Sequence, residues 1–107
     1  MPRLIAITRG LEEQVFELRL GVNRFGRGPR NDFQINHPTV STQHCEISLG
    51  NDELTVRDCG STNGTFIDDR PIKESCLRAG QVLRLGEIEF SVDATIIAVA
   101  IPTFKEA

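Results

Sequence analysis

The stretch Arg57-Asp58-Cys59-Gly60-Ser61-Thr62-Asn63-Gly64-Thr65-Phe66 lies between two strand-like runs, ELTV before it and TFID after it. Asn and Gly both tolerate positive φ, so Asn63-Gly64 alone is a hairpin-turn signal. The loop is longer than such a turn requires. Gly60, Ser61 and Thr62 add small residues whose hydroxyls and amides are donors in need of an acceptor.

Outward from this stretch the chain is organised with period two. Phe16, Leu18 and Leu20 alternate with Glu17 and Arg19, and Cys45, Ile47 and Leu49 with Glu46 and Ser48. Leu54 and Val56 alternate with Thr55 and Arg57, and Ile88, Phe90 and Val92 with Glu87, Glu89 and Ser91. Each pattern is that of a strand with one buried and one wet face. Turn-forming clusters separate them (GRGPRND, NHPTVS, GSTNG, DDRP, RAG), and no segment carries apolar residues at helical spacing over three turns. Short strands at close intervals predict an all-β fold, an antiparallel β-sandwich or barrel with its loops gathered at the ends. Phe25, Phe33, Phe66 and Phe90 are core candidates.

A length of 107 residues predicts one domain, taken as residues 1–93. Residues 94–107 form an apolar C-terminal extension. Its run ATIIAVAI, closed by Pro102, reads as a final strand, as a surface docking on the domain or a partner, or as a linker.

An apolar content of 39% with 25% charged residues is that of a globular chain. No apolar run approaches the roughly 20 residues of a membrane span, and LIAI near the N-terminus is broken at once by TRG, so no membrane association is expected and cytoplasmic residence is. Cys45, Cys59 and Cys76 are odd in number and lack CxxC spacing. With only His37 and His44 to add, neither a disulfide framework, a metal site nor a cofactor is expected. Cys45 reads as a small core residue. A net charge of −3 disfavours nucleic acid as a partner. Yet ten arginines stand against two lysines, and a guanidinium presents a planar fork that matches phosphate or carboxylate.

Three loops hold the informative side chains: Gly26-Arg27-Gly28-Pro29-Arg30-Asn31-Asp32, Pro38-Thr39-Val40-Ser41-Thr42-Gln43-His44, and Gly60-Ser61-Thr62-Asn63-Gly64. If they share one rim of the sandwich, the rim gathers a guanidinium, the hydroxyls of Ser41 and Thr62, the amide of Asn63 and backbone N–H groups. That set suits a tetrahedral dianion, and a phosphorylated side chain carries about −1.5 to −2 charge with three acceptor oxygens.

The ordered set GRGPRNDFQI, VSTQHCEI, RDCGSTNGTFIDD and LRAGQVLRLGEIEF resembles the forkhead-associated (FHA) domain family, from roughly residue 4 to residue 93. The resemblance implies an eleven-stranded antiparallel β-sandwich and a phosphothreonine-peptide binding module that recruits partners after a Ser/Thr kinase has acted. It implies that Arg27 and Ser41 bind phosphate, that Thr62 adds a phosphate or pocket contact, and that Asn63 bonds the peptide backbone. Thr42 occupies the variable position after Ser41, where family members often carry a longer polar residue, and Gly28 replaces the hydroxyl residue common after Gly-Arg. Gly26, His44 and Gly64 are implied as support, the His44 ring bracing the Ser41 loop and the Gly26-Arg27 loop. On this reading Asn63-Gly64 closes the turn, while Ser61 and Thr62 widen the loop so that Thr62 and Asn63 reach the ligand.

Plainer readings stand beside these. Ser41, His44 and Asp58 do not make a catalytic triad without geometry, and no enzyme is expected. Arg27 has Asp32 and Glu46 as alternative partners. Asn31 and Asp32 read as turn formers capping backbone N–H groups, and His37 as solvated and without a role. The rival function is a phosphate-independent interaction or dimerisation domain using a sandwich face or the C-terminal tail. Thr95 reads as a possible phosphorylated ligand for the chain's own site.

Overall fold

The computed structural model describes residues 2–8, 10, 14–51 and 53–93. In chain order these residues form β1 (Arg3–Ala6), β2 (Val15–Glu17), β3 (Gly21–Gly26), β4 (Phe33–Gln34), β5 (Cys45–Gly50), β6 (Glu53–Asp58), β7 (Thr65–Ile67), β8 (Arg70–Ile72), β9 (Glu74–Leu77), β10 (Val82–Leu85) and β11 (Ile88–Asp93). One sheet runs β2-β1-β11-β10-β7-β8 and the other β4-β3-β5-β6-β9. The expected all-β sandwich is therefore present. The expectations for the tail after Asp93, Thr95 among them, fall outside the described residues.

Alternation builds the core. In the five-stranded sheet Ile47 sits between Asn23 and Val56 in register, and Leu49 between Gly21 and Leu54. In the six-stranded sheet Phe90 lies between Ala6 and Leu83. Cys45, Ile47, Leu49, Leu54, Val56, Ile88, Phe90 and Val92 are all buried. The polar outlier, Asn23, is fully buried and fully bonded: Nδ2 donates to the carbonyls of Arg19, Gly21 and Ile47, and Oδ1 accepts from the Arg19 N–H. A bonded amide avoids the cost of a bare one. The outer row of the same sheet is a ladder of alternating charge, Arg24, Glu46, Arg57 and Glu74 in register.

Some expectations are corrected. Leu20 is 72% exposed because β2 ends at Glu17 and the chain turns before β3. Phe25 and Phe90 are core, whereas Phe33 is only partly buried. Phe66 faces outward, with the Arg84 guanidinium 3.9 Å over its ring, a cation–π contact. Pairing is antiparallel except between β3 and β4, which run parallel. The runs ELTV and TFID are not hairpin partners. They belong to β6 and β7 in different sheets, so loop 59–64 carries the chain across the sandwich. Positive φ falls at Gly60 and Gly64 rather than Asn63, and the two-residue turn with both φ positive is Asp68-Asp69 between β7 and β8.

Phe90 packs edge-on against Phe16 at 5.7 Å, and Phe16 in turn against Phe25 and Phe33. Truncating a buried aromatic leaves a cavity its neighbours cannot fill. Phe90→Ala is therefore expected to cost about 3–5 kcal/mol, read as a shifted urea midpoint at unchanged slope.

Candidate functional site

β3 ends at Gly26, and residues 27–32 turn away from the sheet before β4 returns alongside. Backbone bonds stitch this loop to the next: the Arg27 N–H donates to the Ser41 carbonyl at 2.9 Å and the Gly28 N–H to the Thr42 carbonyl at 3.1 Å. Asn31 Nδ2 donates to the carbonyls of Gly28 (2.8 Å) and Thr42 (2.7 Å). It thus serves carbonyls rather than capping N–H groups, whereas Asp32 does cap, accepting from the Arg24 N–H at 2.8 Å. The loops approach so closely that a Cβ at Gly26 would run into the Thr42 carbonyl oxygen. A Cβ at Gly28 would meet Thr42 Cγ2 at 2.7 Å. The missing side chain at 28 and the methyl at 42 are complementary.

Loop 59–64 joins from the other side. The Thr62 N–H donates to Ser41 Oγ at 3.0 Å, and Asn63 Nδ2 to the Thr39 carbonyl at 2.8 Å. Beneath them lies His44, fully buried. Its Nδ1 accepts from the Ser41 N–H at 3.0 Å and its Nε2 faces the Gly64 carbonyl at 2.9 Å. A backbone N–H can only donate and a carbonyl only accept, so the ring is neutral with its proton on Nε2. Burial drives the His44 pKa below the usual value, outweighing the raising effects of the Gly64 carbonyl and the Asp58 charge. The ring therefore braces the Ser41 and Gly64 loops. The Arg27 loop is held instead through the backbone of Ser41 and Thr42. Gly64, at φ 92°, turns its carbonyl toward the ring and the Gly86 N–H.

Asp58 anchors the same loop from behind. Its Oδ1 accepts from the hydroxyls of Ser61 (2.5 Å) and Thr65 (2.6 Å), and its Oδ2 from the N–H groups of Gly60 (3.0 Å) and Ser61 (3.1 Å). Burial pushes this carboxyl up, but the bonds from Ser61, Thr65 and Gly60 outweigh it and hold the pKa below the ordinary value. Ser61 Oγ also accepts from the Gly64 N–H at 3.0 Å. It stiffens the loop from within, beyond simply widening it. His37, expected to have no role, holds Thr39: its Nδ1 accepts from the Thr39 N–H at 3.2 Å and lies 2.9 Å from Thr39 Oγ1. That hydroxyl oxygen accepts from the Glu87 N–H at 3.0 Å.

Arg27, Thr42, Thr62 and Asn63 are exposed and Ser41 is half-buried, all on loops bonded into one rim. The alternative partners of Arg27 are engaged elsewhere, Asp32 by Arg19 at 2.8 Å and Glu46 by Arg57 at 2.6 Å. Among the described residues no ion pair reaches Arg27. The rim is rich in donors, and Asp58, behind the Ser61–Gly64 loop, accepts four hydrogen bonds. Sequence reasoning passed over Asp58, Thr39 and the carbonyl-binding role of Asn31. For Asp58 the readable signal was an Asp followed three residues on by Ser, the spacing of a side chain that caps its own turn.

The profile of the FHA domain family matches residues 23–86. The chain belongs to the FHA domain family, and the sandwich built from its sequence is the FHA fold. It is 37% identical over 79 residues to the FHA domain-containing protein FhaA of Mycobacterium tuberculosis, covering 74% of this chain and 15% of FhaA. It is 35% identical over 72 residues to the glycogen accumulation regulator GarA of the same organism, covering 67% of this chain and 44% of GarA. The chain thus spans less than half the length of these curated relatives. A structure from work on phosphothreonine-dependent FHA domain interactions superposes with a TM-score of 0.80 at 33% identity, over 86% of this chain and 94% of its own. The FhaA FHA domain, crystallised with the intracellular domain of another protein, gives 0.79 at 33% identity, over 86% and 99%.

The buried imidazole gives a pH dependence of fixed sign. The folded pKa of His44 lies below the unfolded value of about 6.5, so its contribution to stability is complete above that value and declines as pH falls beneath it. Melting curves of the ligand-free domain should show Tm falling from pH 7 toward pH 5. His44→Ala, less stable at pH 7, should lose that part of the slope. The Asp58 contribution occupies a separate window, present above about pH 3.9 and lost as pH falls through the depressed folded value.

Proposed function

We propose that this domain is a phosphothreonine-peptide binding module without catalysis of its own, recruiting proteins that a Ser/Thr kinase has phosphorylated. The observation that carries the reading is the bonding of three separate loops into one donor-rich rim around Ser41, where Arg27 has no carboxylate partner among the described residues. In this reading Arg27 and the Ser41 hydroxyl hold the phosphate, Thr62 adds a contact beside it, and Asn63 bonds the peptide backbone. Thr42 borders the site. The phosphothreonine-dependent interactions studied with a 33% identical FHA domain support the choice of ligand class.

The absence of catalysis is supported by the imidazole beside Ser41. That ring takes the serine's backbone N–H rather than its hydroxyl, and its other nitrogen is committed to Gly64, so Ser41 gains no general base from it. The unpaired thiols of Cys45, Cys59 and Cys76 suit a reducing compartment and support a cytoplasmic setting. Charge-assisted hydrogen bonds contribute roughly 1.5–3 kcal/mol each. Three or four of them reach the −8 kcal/mol or so of a micromolar complex.

Fluorescence anisotropy with a phosphothreonine peptide tests this reading. Arg27→Ala is expected to weaken binding by roughly 30-fold or more while Tm stays nearly unchanged, since the side chain is exposed. The unphosphorylated peptide should not bind, and the phosphoserine version should bind several-fold more weakly for want of the threonine methyl. A mutant that binds as well as the parent would remove Arg27 from the site.

A further inference from the structure

The outer face of the five-stranded sheet carries two rows in register across β3, β5, β6 and β9. One is Arg24, Glu46, Arg57 and Glu74, and the other is Val22, Ser48, Thr55 and Cys76. Arg24, Arg57, Glu74, Val22 and Cys76 are exposed and the rest half-buried, so no described element covers this face. Within the charged row Glu46 bonds Arg57 at 2.6 Å and lies 3.9 Å from Arg24, the ordinary benefit of opposite charges on neighbouring strands. Such pairing leaves the other row unexplained. It is uncharged along its whole length, with Val22 47% exposed at one edge and the Cys76 thiol exposed at the other.

Each row is its own complement. Turned about an axis parallel to the strands and passing between β5 and β6, the order β3-β5-β6-β9 reads β9-β6-β5-β3. A second copy laid face to face in that way sets its Glu74 over Arg24 and its Arg57 over Glu46, and both contacts recur by symmetry. In the uncharged row Cys76 of the second copy covers Val22, and Thr55 of the second copy meets Ser48. A free thiol packs as a small apolar group, and facing hydroxyls can bond each other. An axis across the strands either lays the charged row over the uncharged one or sets each charge over its own kind. The charged row sums to zero, which spares this face the repulsion between copies that a net charge of −3 imposes elsewhere.

We propose that this face docks a second copy of the chain, forming a two-fold dimer with the strands of the two sheets aligned. The contact is small. Four strands about 4.8 Å apart and two rows deep offer roughly 300 Å² per copy, against about 800 Å² in a standard interface, so the dimer is weak and forms at high local concentration. β3 and β6 end at the candidate rim and β5 starts from it, and an axis parallel to the strands keeps both rims at the same end. The dimer thus presents two phosphate sites side by side. That consequence rests on the function proposed above, whereas the dimer itself does not.

Sedimentation velocity of the full chain without ligand, from micromolar to millimolar concentration, tests this beside Arg24→Glu, Glu74→Arg and an equimolar mixture of the two variants. The parent should shift from one chain mass toward two as its concentration rises. Each variant alone sets like charges face to face at two symmetric points, and should need at least roughly tenfold higher concentration to associate. In the mixture the two substituted positions meet with opposite signs, so association should return toward that of the parent, which a misfolded variant could not achieve. A parent that stays monomeric at millimolar concentration, single variants that associate like the parent, or a mixture as weak as its components would each overturn the dimer and leave the phosphopeptide reading untouched.

Discussion

His44 sits where two loops need opposite partners. The Ser41 backbone offers a donor on one side and the Gly64 backbone an acceptor on the other, and the ring satisfies both only when neutral and protonated at Nε2. Full burial removes water as a substitute for either partner, so the two bonds cannot be exchanged cheaply. The rest of the rim follows from this clamp. Ser41 fixed by its N–H presents its carbonyl to Arg27 and its Oγ to Thr62. Gly64 fixed by its carbonyl sets the last residue of the loop that carries Thr62 and Asn63. The backbones of three distant segments are held together before any ligand arrives, which reduces the ordering cost of binding.

The distribution of charge has a related logic. The chain has a net charge of −3, yet none of the ion pairs among the described residues uses Arg27. Glu46 takes Arg57 and Arg24 on the outer face of the five-stranded sheet, Asp32 takes Arg19, and Asp93 takes Arg3 at the end opposite the loops. Asp58, behind the Ser61–Gly64 loop, is hydrogen-bonded by hydroxyls and amides rather than paired with a cation. Had an arginine served that purpose, its charge would have been placed behind the loop instead of in front of it. The result is an unpaired guanidinium, Arg27, on the rim of a globally acidic domain. Local arrangement, and not net charge, decides what such a surface attracts.

Much of this was legible in the sequence, and the failures share a cause. Alternation in β5, β6 and β11 identified the buried side of each strand because those strands have a core on one face only. Alternation carries no information about which strand lies alongside, so the parallel β3–β4 pair and the crossing of loop 59–64 between sheets were out of its reach. Leu20 continued an alternating pattern past the point where the backbone had left the sheet, and Phe66 spent its ring on Arg84 at the surface. In the site, Arg27, Ser41, Thr62 and Asn63 stood out because exposed side chains of those types in that order match a family pattern. Asn31 and Thr39 bond to groups contributed by other loops, whereas Asp58 and His37 hold backbone groups a few residues further along their own. Only coordinates reveal which backbone groups those are.

Ser41 shows why support and contact cannot be separated at this rim. Its Oγ accepts the Thr62 N–H, so one side of the oxygen is taken by the protein and the hydroxyl proton is left to point elsewhere. The carbonyl and amide of the same residue are engaged as well, by Arg27 and His44, which leaves that proton as the one polar group of Ser41 not already bonded. A threonine here would keep the hydroxyl but add a methyl beside the Thr62 backbone, and an alanine would strand the Thr62 N–H. A serine hydroxyl accepting from one loop while donating outward couples the shape of the rim to the strength of the contact it offers, because any shift of loop 59–64 re-aims the donor.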